Sequence, residues 1–166
     1  MSRYAKIMSN DIVDGSDICV SFWVQGCPLH CKGCHNPSTW NFQEGLEYTD
    51  HTKWEIIEAI GANGIQRNFS VLGGEPFALQ NIDMTEEVIS AVRQAYPNIK
   101  IFVWTGYTKE ELAQRYFIQL EHILGMIDVL IDGPFIQEQR NLDLKLRGSE
   151  NQRVWVKENN KWKTIE

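Results

Sequence analysis

"ICVSFWVQGCPLHCKGCHNPSTW", residues 18 to 40, joins two signals in one stretch. Its first part is rich in β-branched and aromatic residues and reads as a strand ending near Gly26. Its second part sets Cys27, Cys31 and Cys34 at C-x3-C-x2-C spacing, so three of the chain's four cysteines fall within eight positions. Burial alone does not favour crowding cysteines in a polar, glycine-containing loop. Metal sites and disulfide frameworks do.

Four readings of this loop compete. A structural zinc ion needs four ligands, and Cys19, His30 or His35 would have to complete the set. Most zinc motifs, however, divide their ligands between two knuckles. A thioredoxin-like redox pair would use Cys31 and Cys34 and leave Cys27 unexplained. The plainest reading is three unrelated buried cysteines. The fourth is an iron–sulfur cluster held by three thiolates, which leaves one of four irons open to a substrate or cofactor.

The rest of the chain narrows the choice. Its 166 residues suit one domain, residues 1–166, and can bury a sizeable core. With 43% hydrophobic and 23% charged residues, the composition is that of a folded protein. A net charge of −6 argues against a general nucleic-acid binder. No apolar run is long enough to span a bilayer. The opening "MSRYAKIMSNDIVDG" lacks the apolar stretch of a signal peptide. The expectation is a cytoplasmic protein with reduced thiols, which favours a metal or cluster site over disulfides.

Strand and helix signals alternate. "TKWEIIEAIGA" offers Thr52 and Glu55 as a capping pair, with Trp54, Ile57 and Ile60 at helical spacing. "NFSVLGG" reads as a short buried strand. "DMTEEVISAVRQAY" offers Asp83 with Glu86, and Val88, Ile89, Val92 and Tyr96 on one face. "KIFVWTG" is the next strand. "TKEELAQRYFIQLEHIL" repeats the capping pattern at Thr108 and Glu111 above Leu112, Tyr116, Leu120 and Ile123. "MIDVLIDG" is a further strand. Residues 134–153 are polar and less regular, and "QRVWVKENNKWKTIE" reads as a hairpin turning at Asn159-Asn160. The order implies an α/β fold with a mostly parallel sheet. Three strand ends then carry "GC", "GGEP" and "WTGY", and in such folds ligands sit at the carboxyl ends of strands.

The spacing C-x3-C-x2-C resembles the signature of the radical S-adenosylmethionine (SAM) enzymes. The resemblance implies a [4Fe-4S] cluster on Cys27, Cys31 and Cys34, with its fourth iron chelated by SAM. "GGEP" (73–76) resembles the glycine-rich SAM segment of that family: Gly74 would let the backbone approach the ligand and Glu75 would add charge. A P-loop is excluded, because no Gly-Lys-Ser/Thr follows. Many members carry an aromatic residue just before the third cysteine; Gly33 stands there here. Gly33, Cys34, His35 and Gly74 are thus the implied SAM contacts, with Glu75 and Thr105 as further ones. His35 reads equally as a hydrogen-bonding loop residue and Thr105 as a strand end; Asp132, which ends the fourth strand, reads equally as facing the site or as a turn aspartate.

A narrower resemblance covers nearly the whole chain. "DIVDG", "QGCPLHCKGCHNPSTW", "LGGEPF", "VWTGY", "DVLIDGPF" and "RGSENQR" follow the order of the glycyl-radical activases that act on anaerobic ribonucleoside-triphosphate reductase. It implies a partial, open (β/α) barrel and an enzyme that takes an electron from a flavodoxin-like donor. Such an enzyme would cleave SAM to a 5′-deoxyadenosyl radical and so make a glycyl radical on the large subunit of the reductase. Arg147 to Arg153 would dock that partner. "DGSDIC" (14–19) departs from the family's Gly-Pro-Gly, and Cys19 within it reads as a buried strand cysteine. The rival readings are another radical SAM enzyme, such as a different glycyl-radical activase or a carboxy-deazaguanine synthase, and a zinc-stabilised binding module.

Overall fold

The computed structural model describes residues 2–165. Met1 and Glu166, the two ends of the expected domain and the last residue of the expected hairpin, lie outside the described residues. The strands are β1 (Arg3–Asp11), β2 (Cys19–Val24), β3 (Leu46–Glu47), β4 (Asn68–Gly73), β5 (Ile101–Trp104), β6 (Val129–Asp132), β7 (Arg153–Glu158) and β8 (Lys161–Ile165). The α-helices are α1 (Asp50–Ile60), α2 (Ile82–Ala95) and α3 (Lys109–Leu124). All eight strands join one sheet in the order β3-β1-β2-β4-β5-β6-β7-β8.

The sheet is mixed. β2, β4, β5 and β6 run parallel, as the β-α-β order requires. Antiparallel strands extend both sides: β1 and β3 beyond β2, β7 and β8 beyond β6. The mostly parallel sheet of the sequence reading therefore describes only the four central strands. β3 and β8 end the order without meeting, so the sheet is open. β1 escaped the sequence reading because its burial lacks a clean alternation and bulges interrupt its register near Lys6 and before Asp11.

Alternation along the central strands separates two faces. Val20, Phe22 and Val24 of β2, Phe69 and Val71 of β4, and Ile101 and Val103 of β5 belong to the main core. Crossover connections of one hand put α1, α2 and α3 on that same face. Ile56 and Ile60, Val88, Ile89 and Val92, and Leu112, Leu120 and Ile123 close the core from the helices. Phe22 and Phe69 are completely buried there, each contributing about 2–3 kcal/mol relative to exposure. The opposite face carries Ser21 and Trp23, Ser70 and Leu72, and Phe102 and Trp104. A smaller cluster of Phe102, Val129, Ile131 and Val154 packs there. Among the described residues, the core-forming side chains of the three α-helices lie on the other face.

The helix starts test the capping arguments. α3 is capped as expected, Thr108 Oγ1 accepting the Glu111 N–H at 3.1 Å. Its expected apolar stripe is broken at Tyr116, whose φ of −140° interrupts the helix. α1 begins three residues before the expected cap. Thr49 is the N-cap, and Thr52 completes the capping box as N3 with its side chain buried. That moves the buried stripe to Thr52, Ile56 and Ile60, and leaves the expected core residue Trp54 57% exposed. α2 starts at Ile82 after Asn81, without a side-chain cap; Asp83 lies inside its first turn and accepts from Gln119. The β7–β8 hairpin turns at Asn159 and Asn160, both at positive φ (51° and 61°), as a two-residue turn of type I′ requires.

Candidate functional site

A cavity of about 500 Å³ opens on the sheet face opposite the main core, at the carboxyl ends of β2, β4, β5 and β6. That volume lies within the range of small-ligand pockets. Cys27, Cys31 and Cys34 all line it, although among the described residues no three thiol, imidazole or carboxylate groups stand close enough to form a ready-made metal cluster. His35, Gly74, Glu75 and Thr105 line it too. Gly33 does not. It sits at φ +78°, turning the loop so that the Cys34 N–H reaches the Cys31 carbonyl at 3.1 Å, and its open side faces Gln137.

The cysteine loop is pinned by the segment that follows it. The N–H groups of Gly26 and Cys27 donate to the carbonyls of Thr39 and Trp40 at 2.7 and 3.1 Å. His30 stacks on Trp40, ring centres 4.5 Å apart. Backbone donors turn toward sulfur: Asn36 N–H lies 3.4 Å from Cys34 Sγ, and the N–H groups of Leu29 and His30 address Cys27. Burial outweighs these donors and pushes the Cys27 thiol up to about 11. A bound metal would displace that proton, since the thiolate is the ligand. Three free thiols on one cavity, with N–H groups directed at sulfur, suit an iron–sulfur cluster.

"GGEP" meets this loop at very short range. Gly74 N–H donates to Val24 O and Glu75 N–H to Gly26 O, at 2.9 and 2.8 Å. A Cβ on Gly74 would stand 2.4 Å from Gly26 O and 2.9 Å from Thr39 O. The missing side chain therefore makes room for the protein's own cysteine loop, which the sequence argument about ligand approach did not foresee. Asn81 clamps the same junction; its Nδ2 donates to Gln25 O, Gly26 O and Glu75 O at 3.1–3.3 Å. Glu75 is buried and fully engaged. Its carboxylate accepts from Thr105 Oγ1, Gly106 N–H and Phe77 N–H at 2.7–2.9 Å. Burial nonetheless pushes it up to about 7. Glu75 and Thr105 thus brace the cavity floor against each other.

A family model described as a 4Fe-4S single cluster domain matches residues 13–155. The anaerobic ribonucleoside-triphosphate reductase-activating protein of Vibrio cholerae serotype O1 is 38% identical over 151 residues, 90% of this chain and 95% of that protein. The chain belongs to the family of anaerobic ribonucleoside-triphosphate reductase-activating proteins. The proteins of that name from Enterobacteria phage T4 and Escherichia coli K12 are 36% and 34% identical. The first comparison covers 97% of this chain and 98% of the phage protein, the second 92% of this chain and 97% of the bacterial one. The matched domain supports the iron–sulfur reading of the cysteine loop over the zinc and thioredoxin-like ones.

Three other expected residues take structural places in this family member. Cys19 is completely buried in β2, its thiol donating to Ser16 O and pushed up by burial. Asp132, also completely buried, accepts the Lys109 N–H at the start of α3 and both Nε and Nη2 of Arg153. Arg153 bonds Glu110 as well, and these two carboxylates hold its proton more firmly than usual. Its guanidinium is therefore committed within the chain. Arg147 lies on the cavity and donates to Glu150 O and Gln152 O. The sequence reading missed Trp23, Leu72 and Trp104 on the cavity wall, although strand alternation puts all three on one face. It also missed Asp14, from the quoted "DIVDG". Asp11 Oδ1 accepts the N–H groups of Val13 and Asp14, and Asp14 itself reaches the cavity.

Proposed function

We propose that the protein is a radical SAM activase, a single domain that generates a glycyl radical on an anaerobic ribonucleoside-triphosphate reductase. One observation carries the reading: the three cysteines and the Gly74 strand end line a single cavity in a chain of this family. Cys27, Cys31 and Cys34 hold a [4Fe-4S] cluster, and the backbone near Gly74, with Cys34 and His35, holds SAM. When bound, these cofactors would supply reductive cleavage of SAM and the hydrogen abstraction that makes a glycyl radical on the reductase.

The chain's own part is placement. The N–H groups of Asn36, Leu29 and His30 favour the thiolate form of the ligands. Asn81 and the Glu75–Thr105 brace fix the glycine turn against the cysteine loop. Trp23, Leu72 and Trp104 give the cavity a largely apolar wall that keeps water from it. The open sheet supports a macromolecular substrate, because a glycine on a protein loop needs access from the side. The four free cysteines and the absence among the described residues of any helix able to cross a membrane fit the cytoplasm, with a flavodoxin-like protein as electron donor.

The test is anaerobic reconstitution with iron and sulfide. The loaded protein is then reduced with SAM and the purified reductase and followed by electron paramagnetic resonance. A stable glycyl radical on the reductase is expected. SAM cleavage with no glycyl radical would overturn the activase reading.

A further inference from the structure

Residues 140–149 form a hairpin along one side of the cavity, with a firm neck and a weakly held tip. At the neck, Arg140 and Ser149 form an antiparallel bridge, and Asn141 N–H donates to Gly148 O at 3.1 Å. Glu150 N–H donates to Gln139 O at 2.9 Å. Gln152 locks the base. Its Oε1 accepts the N–H groups of Gly148 and Ser149, and its Nε2 donates to Gly133 O. Ser149 is completely buried and accepts the Ile136 N–H.

The tip, residues 142–146, is different. Among the described residues, the Asp143 and Leu144 N–H groups bond only back to Asn141, at 2.9 and 3.4 Å. Among the described residues, the sole hydrogen bond from the tip to the body of the protein runs from Trp104 Nε1–H to Leu146 O, at 2.6 Å. Leu146 sits at φ +68°, in the left-handed region that a side chain disfavours. Such a conformation persists only while its surroundings hold it. Leu142, Leu144 and Leu146 all line the cavity, yet Leu142 is 80% exposed. An exposed leucine at the lip of a largely apolar cavity leaves apolar surface uncovered on the solvent side.

We propose that the 140–149 hairpin is a hinged lid over the cavity, latched by the Trp104 indole N–H on the Leu146 carbonyl, which lifts to admit a polypeptide loop of the reductase. The latch and the left-handed Leu146 oppose each other. Opening breaks that hydrogen bond and lifts the half-buried Leu146 from the cluster of Phe102, Val129, Ile131 and Val154, while it lets Leu146 return to a favoured conformation and the neck stays fixed. The occupant is a polypeptide segment because the lid turns Leu142, Leu144 and Leu146 to the cavity, while of its four charged side chains (Arg140, Asp143, Lys145 and Arg147) only Arg147 lines it, already tied to the backbone carbonyls of Glu150 and Gln152. This part rests on the activase reading; the latch does not.

The experiment measures hydrogen exchange of the tryptophan indole N–H groups by nitrogen-15 NMR in the anaerobic, cluster-loaded protein. Trp104→Phe assigns the Trp104 resonance. Trp23 is the internal reference, since its Nε1–H is hydrogen-bonded to Ser21 Oγ within the sheet. A working latch makes the Trp104 indole exchange at least tenfold faster than that of Trp23. Equal rates for the two, set by global unfolding, would overturn the lid. Adding the reductase is expected to release the Trp104 indole further, and Leu142→Asp to weaken reductase binding about tenfold. If Trp104 opens locally but neither change appears, the polypeptide occupant is overturned while the lid stands. Failure of the activase reading would show separately, as normal reductase binding without any glycyl radical.

Discussion

Gly74→Ala adds one methyl group where the structure has no room for it. Its Cβ would lie 2.4 Å from Gly26 O and 2.9 Å from both Gly26 C and Thr39 O. All three are backbone atoms, so no side chain can rotate away. Reaching even a 3.0 Å contact requires a shift of about 0.6 Å (3.0 less 2.4) between the glycine turn and the cysteine loop. Overpacking of this kind costs about 2–3 kcal/mol. The shift also stretches the bond from Glu75 N–H to Gly26 O, now 2.8 Å, adding about 1 kcal/mol. A total near 3 kcal/mol lowers the midpoint of thermal unfolding by about 6–12 °C for a chain of this size. Because Gly26 immediately precedes Cys27, iron retention should fall as well. The assay is thermal unfolding of the reduced, metal-free protein, with iron per chain measured after anaerobic reconstitution. Gly64→Ala is the control. Gly64 has φ +72° and nothing within 4 Å of its added Cβ, so that change costs only the backbone term, about 1 kcal/mol. If Gly74→Ala is no more destabilising than Gly64→Ala and keeps its iron, the close-approach argument is refuted.

Alanine at Cys27, Cys31 or Cys34 should each abolish stoichiometric iron and sulfide. Cys19→Ala should keep the cluster, since its thiol is buried in β2 away from the cavity; iron analysis decides. Arg153→Ala should lower stability by about 3 kcal/mol in urea unfolding, because it strips a completely buried Asp132 of its ion pair. An unchanged urea midpoint with weakened reductase binding would assign Arg153 to docking instead. Burial, then the hydrogen bond and charge of Asp11, raise Asp14 to about 7 from the ordinary 3.8, while hydrogen bonds hold Asp11 low against burial. The folded state thus binds more protons than the unfolded one between those two values, and Asp14's contribution to stability is lost as pH rises toward about 7. Asp14→Asn should make the urea-midpoint profile less steep between pH 4 and about 7, leaving the part that the likewise raised Glu75 contributes; an identical slope in both proteins would count against the assignment.

Local signals announced the central β-α-β units. Continuous apolar runs such as 19–24 marked strands buried on both faces, and Thr108 with Glu111 marked a helix start. The edges were poorly legible. β1 lacks a clean alternation, β3 is two residues long, and the start of α1 depended on which of two threonines, Thr49 or Thr52, captured the first turn. Asp83 resembled a cap but lies inside α2, where an acidic residue suits the positive end of the helix dipole.

Local sequence carries three thiols at a spacing that one loop can present, followed one β-α unit later by a glycine turn. Those features are local, encoded within a few residues and independent of the rest of the chain. Only the tertiary structure decided the roles that depend on distant partners. Gly74 makes room for Gly26 O, Glu75 is tied to Thr105 thirty residues away, and Arg153 is bound to Asp132 rather than free at the surface. A side chain's free energy depends on which groups share its desolvated space. Parallel pairing, which joins strand ends across long crossovers, sets that company, and no local pattern records it.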